Sequence, residues 1–119
     1  MLARRFGPDR IATVPVQALD TAQVDGIVNT TPVGMAGSPE SPIAPALISP
    51  RHWVVDIIYF PLETELLRIA REKACRAMNG AGMVIAQAAL AFEIITGFPA
   101  DKDRMSRSFF CSGEVPGPV

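Results

Sequence analysis

The chain has 119 residues, 49% of them apolar and 19% charged, with a formal net charge of −1. Those values suit one folded domain or a piece of one and exclude a disordered polymer. Beyond Arg4, Arg5 and Arg10 there is no basic cluster, so nothing points to nucleic acid, and these arginines read as a solvated helix end.

The N-terminal arginines are not followed by an apolar run of signal-peptide length. The longest apolar stretch, Met83 to Ile95, is broken by Gln87 and Glu93 and is too short to span a bilayer. A cytoplasmic protein without membrane contact is expected, with Cys75 and Cys111 as reduced thiols. One histidine and two cysteines without paired spacing make no metal site. His52 reads as a polar residue flanking a strand.

In chain order, Ala3 to Phe6 ends a helix closed by Gly7-Pro8. Arg10 to Val14 is a short strand stopped by Pro15, and Gln17 to Gln23 allows a helical turn. Gly26 to Asn29 (GIVN) is an apolar strand running into a Pro- and Gly-marked loop, Thr30 to Met35. Residues 36 to 50, with Pro39, Pro42, Pro45 and Pro50, form an extended loop with one helical turn at Ala44 to Leu47. His52 to Tyr59 (HWVVDIIY) is the clearest strand, and its β-branched run predicts a parallel strand covered on both faces. A helix starts near Pro61, with Leu62, Leu66, Ile69, Ala70 and Ala74 at helical spacing, Glu63 and Glu65 in its first turn, and Arg71 and Lys73 near its end. Arg76 to Met78 is a brief strand, Asn79 to Gly82 a tight turn, and Gly82 to Gly97 a helix. Asp101 caps a last helix to Phe109. The order predicts an α/β fold around a parallel sheet, over residues 1–110, with 111–119 as a flexible tail. A doubly wound domain needs five or six strands, and about four are present.

Ligands of open α/β sheets bind beyond the carboxyl ends of the strands. Three loops lie there: Asn29 to Met35, Tyr59 to Pro61, and Asn79 to Gly82. The small residues of the last admit a close approach by another backbone or a flat ring, and a plain β-to-α turn accounts for them as well. Gln87 sits inside an apolar helix on one face with Met83 and Ala91. Its amide either bonds neighbouring backbone or faces a ligand. The Tyr59 hydroxyl either reaches a ligand or is a wet tip on a half-buried ring. Asp56, inside an apolar strand, needs a partner and suits a structural role, capping a helix or orienting a loop. No Ser-His-Asp or Cys-His set and no P-loop lysine motif is present.

NTTPVGM (29–35), DIIYFPLETELL (56–67) and NGAGMVIAQAALAFEIITG (79–97), in this order and spacing, resemble the C-terminal half of the shikimate dehydrogenase family, including its quinate/shikimate branch. The family patterns are N-A-T-P-x-G-M, D-x-x-Y-x-P-x-x-T-x-L-L and N/D-G-x-x-M-x-x-x-Q-A-x-x-A-F. The likeness covers roughly residues 11–105, and Thr30, where the family more often has Ala, is the one clear departure. The resemblance implies an incomplete Rossmann-like, doubly wound parallel sheet with C-terminal helices. It implies reversible hydride transfer between 3-dehydroshikimate and NADPH, or NAD with dehydroquinate and quinate, in the shikimate pathway of aromatic amino-acid biosynthesis. It assigns Tyr59 and Gln87 to substrate hydroxyls. Thr31, Pro32, Val33, Ile57, Gly80, Met83 and Val84 fall to the cofactor.

The family's catalytic Lys–Asp pair belongs to an N-terminal substrate domain, and its phosphate-binding glycine loop to the first strands. Neither is in these 119 residues, so no catalytic residue is assigned here and the isolated chain is expected to be inactive. By the resemblance, Met1 falls within the helix after the second strand. In the order 3-2-1-4-5-6 the chain supplies strands 3, 4, 5 and 6. Strand 4 then has an open edge and strand 3 is orphaned, which predicts self-association or a complementary N-terminal fragment. A non-catalytic binding or assembly module on the same scaffold is the competing reading.

Overall fold

Three short runs pair into one parallel sheet in the computed structural model, which describes residues 2–7 and 9–111. The strands are β1 (Gly26–Asn29), β2 (Trp53–Asp56) and β3 (Arg76–Met78), in the order β1-β2-β3. The register sets Ile27 beside Val54 and Val54 beside Ala77. Side chains alternate along a strand, so this trio shares one face. Against it pack Leu66, Leu67, Ile69 and Ala70, with Ile48 and Cys75 closing the cluster. Val28, Val55 and Met78 form the other row of the same register. Val28 is 49% exposed and Met78 61% exposed, and Trp53 is also open to solvent. The expectation that the β2 run is covered on both faces therefore fails: helix covers one face, and among the described residues no element covers the other.

Arg10 to Val14 forms no strand. An isolated strand has no ladder for its N–H and C=O groups, and the sheet contains no strand to receive it. The helical turn expected at 17–23 is a 3-10 turn at Val16–Ala18, and a second one at Pro45–Leu47 matches the turn read at 44–47. His52, just ahead of β2, is buried. Its Nδ1 accepts the Ser49 N–H (3.0 Å), so Nε2 faces the Thr21 carbonyl (3.1 Å) as donor. It ties the β1 and β2 approaches together, in keeping with a strand-flanking role.

Helix α2 (Glu65–Glu72) begins later than its apolar spacing predicts. Phe60–Pro61 is a cis peptide, and residues 60–63 form a bend. The Thr64 hydroxyl then accepts the Leu67 N–H (3.3 Å) and caps the helix. Glu65 is therefore in the first turn, and Glu63 is outside it. Arg68 pairs with Glu65 (2.6 Å) and Glu72 (2.5 Å) on the exposed side. At the far end the Lys73 ammonium donates to the Ile48 carbonyl (2.9 Å), fastening the proline-rich loop to the helix C-terminus.

The remaining helices form a hairpin. Helix α3 (Ala81–Thr96) ends at Gly97, whose φ of 72° is the left-handed cap that favours glycine. The Glu93 carboxylate accepts the Ala100 N–H (3.0 Å), and Asp101 caps α4 (Lys102–Cys111) by accepting the Arg104 N–H (2.9 Å). Helix α4 is the main partner of α3. Helix α1 (Leu2–Phe6) precedes Gly7, at φ 90°, as its sequence predicts. Residues 112–119 of the expected tail lie outside the described residues.

Candidate functional site

The carboxyl ends of β1 and β2 are joined by side chains. Asn29, the last residue of β1, is buried, and its amide is fully used. Its Nδ2 donates to the Val33 carbonyl (2.9 Å) and to Asp56 Oδ1 (3.2 Å). Its Oδ1 accepts the Thr31 N–H (3.0 Å) and the Thr31 hydroxyl (2.7 Å). The same hydroxyl accepts the Val33 N–H (3.2 Å). These bonds define the loop Thr31 to Val33.

Asp56, the last residue of β2, has no exposed surface. Its Oδ1 also accepts the Ile58 N–H (3.0 Å), and Oδ2 accepts the Thr64 hydroxyl (2.7 Å). Asp56 thus has the structural role that its place in an apolar strand implies, holding a helix cap and two loops at once. Asn29 and Thr64 carry this network too, and the sequence reading gave neither a role. Their signals are an Asn at a strand end with Thr two residues on, and a Thr immediately before an apolar helical run.

The third loop is seated by contact. A Cβ on Gly80 would lie 2.0 Å from the Ile57 carbonyl oxygen, so only glycine allows this approach. The Gly80 N–H donates to the Ile58 carbonyl (3.0 Å), and Asn79 accepts the Ala81 N–H (3.2 Å) at the start of α3. Gly34, at φ 112°, likewise packs on Ile58 and Thr64. The β2 exit is therefore gripped from both sides.

Around this exit the nine residues singled out divide by exposure. Gly80 is buried, and Val33, Ile57 and Val84 are half-buried. Thr31, Pro32, Tyr59, Met83 and Gln87 are exposed. The Tyr59 ring stands 6.2 Å from the Phe109 ring, so α4 returns to the β2 exit. Hydrogen bonds or contacts join Thr31, Val33, Ile57 and Gly80 into one assembly. Met83, Val84 and Gln87 follow on the helix that starts at its edge. Among the described residues the Gln87 amide has no hydrogen-bond partner. A groove of about 720 Å³ between the 3-10 turn at Val16, the loop at 40–47 and α2 contains none of these residues. Among the described residues no cluster of three or more His, Cys, Asp or Glu could hold a metal ion, and no helix is long and apolar enough to cross a membrane.

A parallel sheet with its loops gathered at the strands' carboxyl ends, and a glycine-tight turn opening a helix there, defines part of a Rossmann-like nucleotide-binding domain. Residues 80–108 match the family model "Shikimate 5'-dehydrogenase C-terminal domain". An NADP(+)-dependent shikimate dehydrogenase of Arthrobacter sp. (strain FB24) is 52% identical over 85 residues, 71% of this chain and 29% of that protein. A quinate/shikimate dehydrogenase (NAD(+)) of Corynebacterium efficiens is 43% identical over 88 residues, 74% of this chain and 31% of that protein. Among solved structures, quinate dehydrogenase from Corynebacterium glutamicum in complex with NAD superposes with a TM-score of 0.81 at 34% identity, covering 92% of this chain and 40% of that one. Shikimate 5-dehydrogenase from Thermus thermophilus in complex with NADP(H) and shikimate gives 0.77 at 32%, covering 93% and 41%. The chain belongs to the shikimate dehydrogenase family and corresponds to the C-terminal part of its members, spanning about a third of the length of the curated relatives it matches.

Proposed function

We propose that the chain is the cofactor-side part of a dehydrogenase that interconverts 3-dehydroshikimate and shikimate with NADP, or dehydroquinate and quinate with NAD. The observation that carries this reading is the convergence of the three strand-end loops, each bearing one family motif, on the β2 exit. Thr31, Pro32 and Val33 form one wall for the nicotinamide end of the cofactor. Ile57, Gly80, Met83 and Val84 form the other. The surface suits a flat ring: Ile57, Met83 and Val84 offer apolar faces, and glycine at position 80 lets the start of α3 close onto the Ile57 backbone. When bound, the cofactor supplies the hydride. Tyr59 and Gln87 would orient the ring hydroxyls of the substrate; both residues are exposed, Tyr59 at the β2 exit and Gln87 in the N-terminal half of α3. These residues position and exclude water, and the proton is moved elsewhere.

Catalysis on this reading needs a second surface, from a complementary N-terminal part, and a chain without one self-associates through its open sheet. A cytoplasmic setting suits Cys75 and Cys111, both of them free thiols. The test is a chimera in which this chain replaces the corresponding C-terminal part of the Arthrobacter relative. It is assayed with shikimate and quinate against NADP and NAD. Dehydrogenation that falls about tenfold or more in kcat/KM on Gln87→Ala is expected. A folded chimera inactive on all four pairings would favour a non-catalytic assembly module.

A further inference from the structure

We infer that Asp56 is a positioning residue that couples the Thr31–Val33 loop to the β2 exit, so that the two walls of the proposed cofactor site move as one. Asp56 is fully buried, and its two oxygens take one donor from each structure that meets there: Asn29 from the first loop, the Ile58 N–H from the exit, and the Thr64 hydroxyl from the cap of α2. Asn29 passes the constraint on, because the amide that donates to Asp56 also receives both Thr31 donors and donates to Val33. Thr64 passes it into α2 through the Leu67 N–H. The chain of bonds is continuous from Val33 to Leu67. Among the described residues no buried polar side-chain atom lacks a partner. Removing one member therefore leaves buried donors or acceptors unpaired on both loops, and these are relieved by local opening. A bond that served only to stabilise its own strand end would not show this cross-loop effect.

The test is amide hydrogen exchange on the whole chain. Asp56→Asn keeps the side-chain shape and removes an acceptor. It is expected to speed exchange at Thr31 and Val33, whose hydrogen bonds go to the Asn29–Val33 loop and not to Asp56, about tenfold or more, while Ile69 and Ala70 in α2 keep their rates. Asn29→Ala, a second variant should the first fail to fold, is expected to speed exchange at Ile58 across the gap. Thr64→Ser, which keeps the hydroxyl, is expected to preserve wild-type rates at all three amides, and Thr64→Val is not. A uniform rise at every amide, or unchanged rates on the loop opposite the substitution, would overturn the inference.

Its consequence for catalysis rests on the dehydrogenase reading. In the chimera, Asp56→Asn should raise KM for the nicotinamide nucleotide about tenfold with kcat within about threefold, because no group on the reacting atoms is removed. A fall in kcat with KM unchanged would contradict that consequence. An inactive chimera with Asp56 intact would instead contradict the dehydrogenase reading, while hydrogen exchange still decides the role of Asp56.

Discussion

Gln87 carries a buried residue's sequence pattern and an exposed residue's environment. It is flanked by alanines and large apolar side chains, yet its amide reaches solvent and has no partner among the described residues. Gln87→Ala should therefore change the stability of this chain by less than about 0.5 kcal/mol in denaturant melts. A loss of several kcal/mol would mean that the amide holds the fold. Gly80 is the opposite case. Its missing side chain is replaced by the Ile57 carbonyl, so Gly80→Ala should cost about 1–3 kcal/mol or more, because backbone rather than a flexible side chain must give way. At this scale the sequence was legible where chemistry was out of place: Asp56 in an apolar strand, a glycine pair beside an asparagine. Asn29 and Thr64 show only their local bonds in the sequence, a strand-end Asn with Thr31 and a Thr before an apolar helical run; their bonds to Asp56 join separate elements and have no local pattern.

Among the elements, β1 and β3 lie where the sequence places them, β2 is shorter, at Trp53–Asp56 within the expected His52 to Tyr59, and Gly97 and Asp101 mark the end of α3 and the start of α4. Beside the uncovered face of β2, two further readings failed for physical reasons. Arg10 to Val14 has the composition of a strand and no neighbour to pair with. Helix α2 starts at Glu65 because Thr64 supplies the cap, whatever the spacing of Leu62 suggests. The exposed side of α2 makes a pH prediction. The hydrogen bond from Arg68 holds the Glu65 carboxyl below the usual glutamate range, against the opposing effect of desolvation. A lowered value means stabilisation that is fully present above the ordinary glutamate range and lost as pH falls through the lowered one. The stability difference between wild type and Glu65→Gln should be positive near neutral pH, vanish once the pH has fallen through the lowered glutamate value, and shrink in high salt, since both groups are exposed. A difference independent of pH would contradict the pairing.

For the molecule as a whole, what is left uncovered says most. Helix α3 is apolar on nearly all sides, a pattern that belongs inside a core. Yet Ile94 is 74% exposed and Ile95 82% exposed. Among the described residues the outer row of the sheet is open, β1 has a neighbour on one side only, and Trp53 lies exposed over Gly26. Exposed apolar area on this scale is what the proposed N-terminal part would cover. The sequence showed the shortage of strands but not which surfaces it would bare, because that depends on how the helices pack. Trp53, the only tryptophan, is a built-in reporter: its emission should shift to shorter wavelength when the open face is covered.

On the proposed dehydrogenase reading, this chain is one side of a site and works only when the other side is supplied. The direct measurement is the rate of shikimate-dependent NADP reduction as the purified N-terminal part of the Arthrobacter relative is titrated into a fixed amount of chain. Neither piece alone should give a rate, and the mixture should give one that rises to saturation as Trp53 emission shifts. Reduction by the chain alone at the saturated rate, or a saturated complex with no rate at all, would contradict that reading.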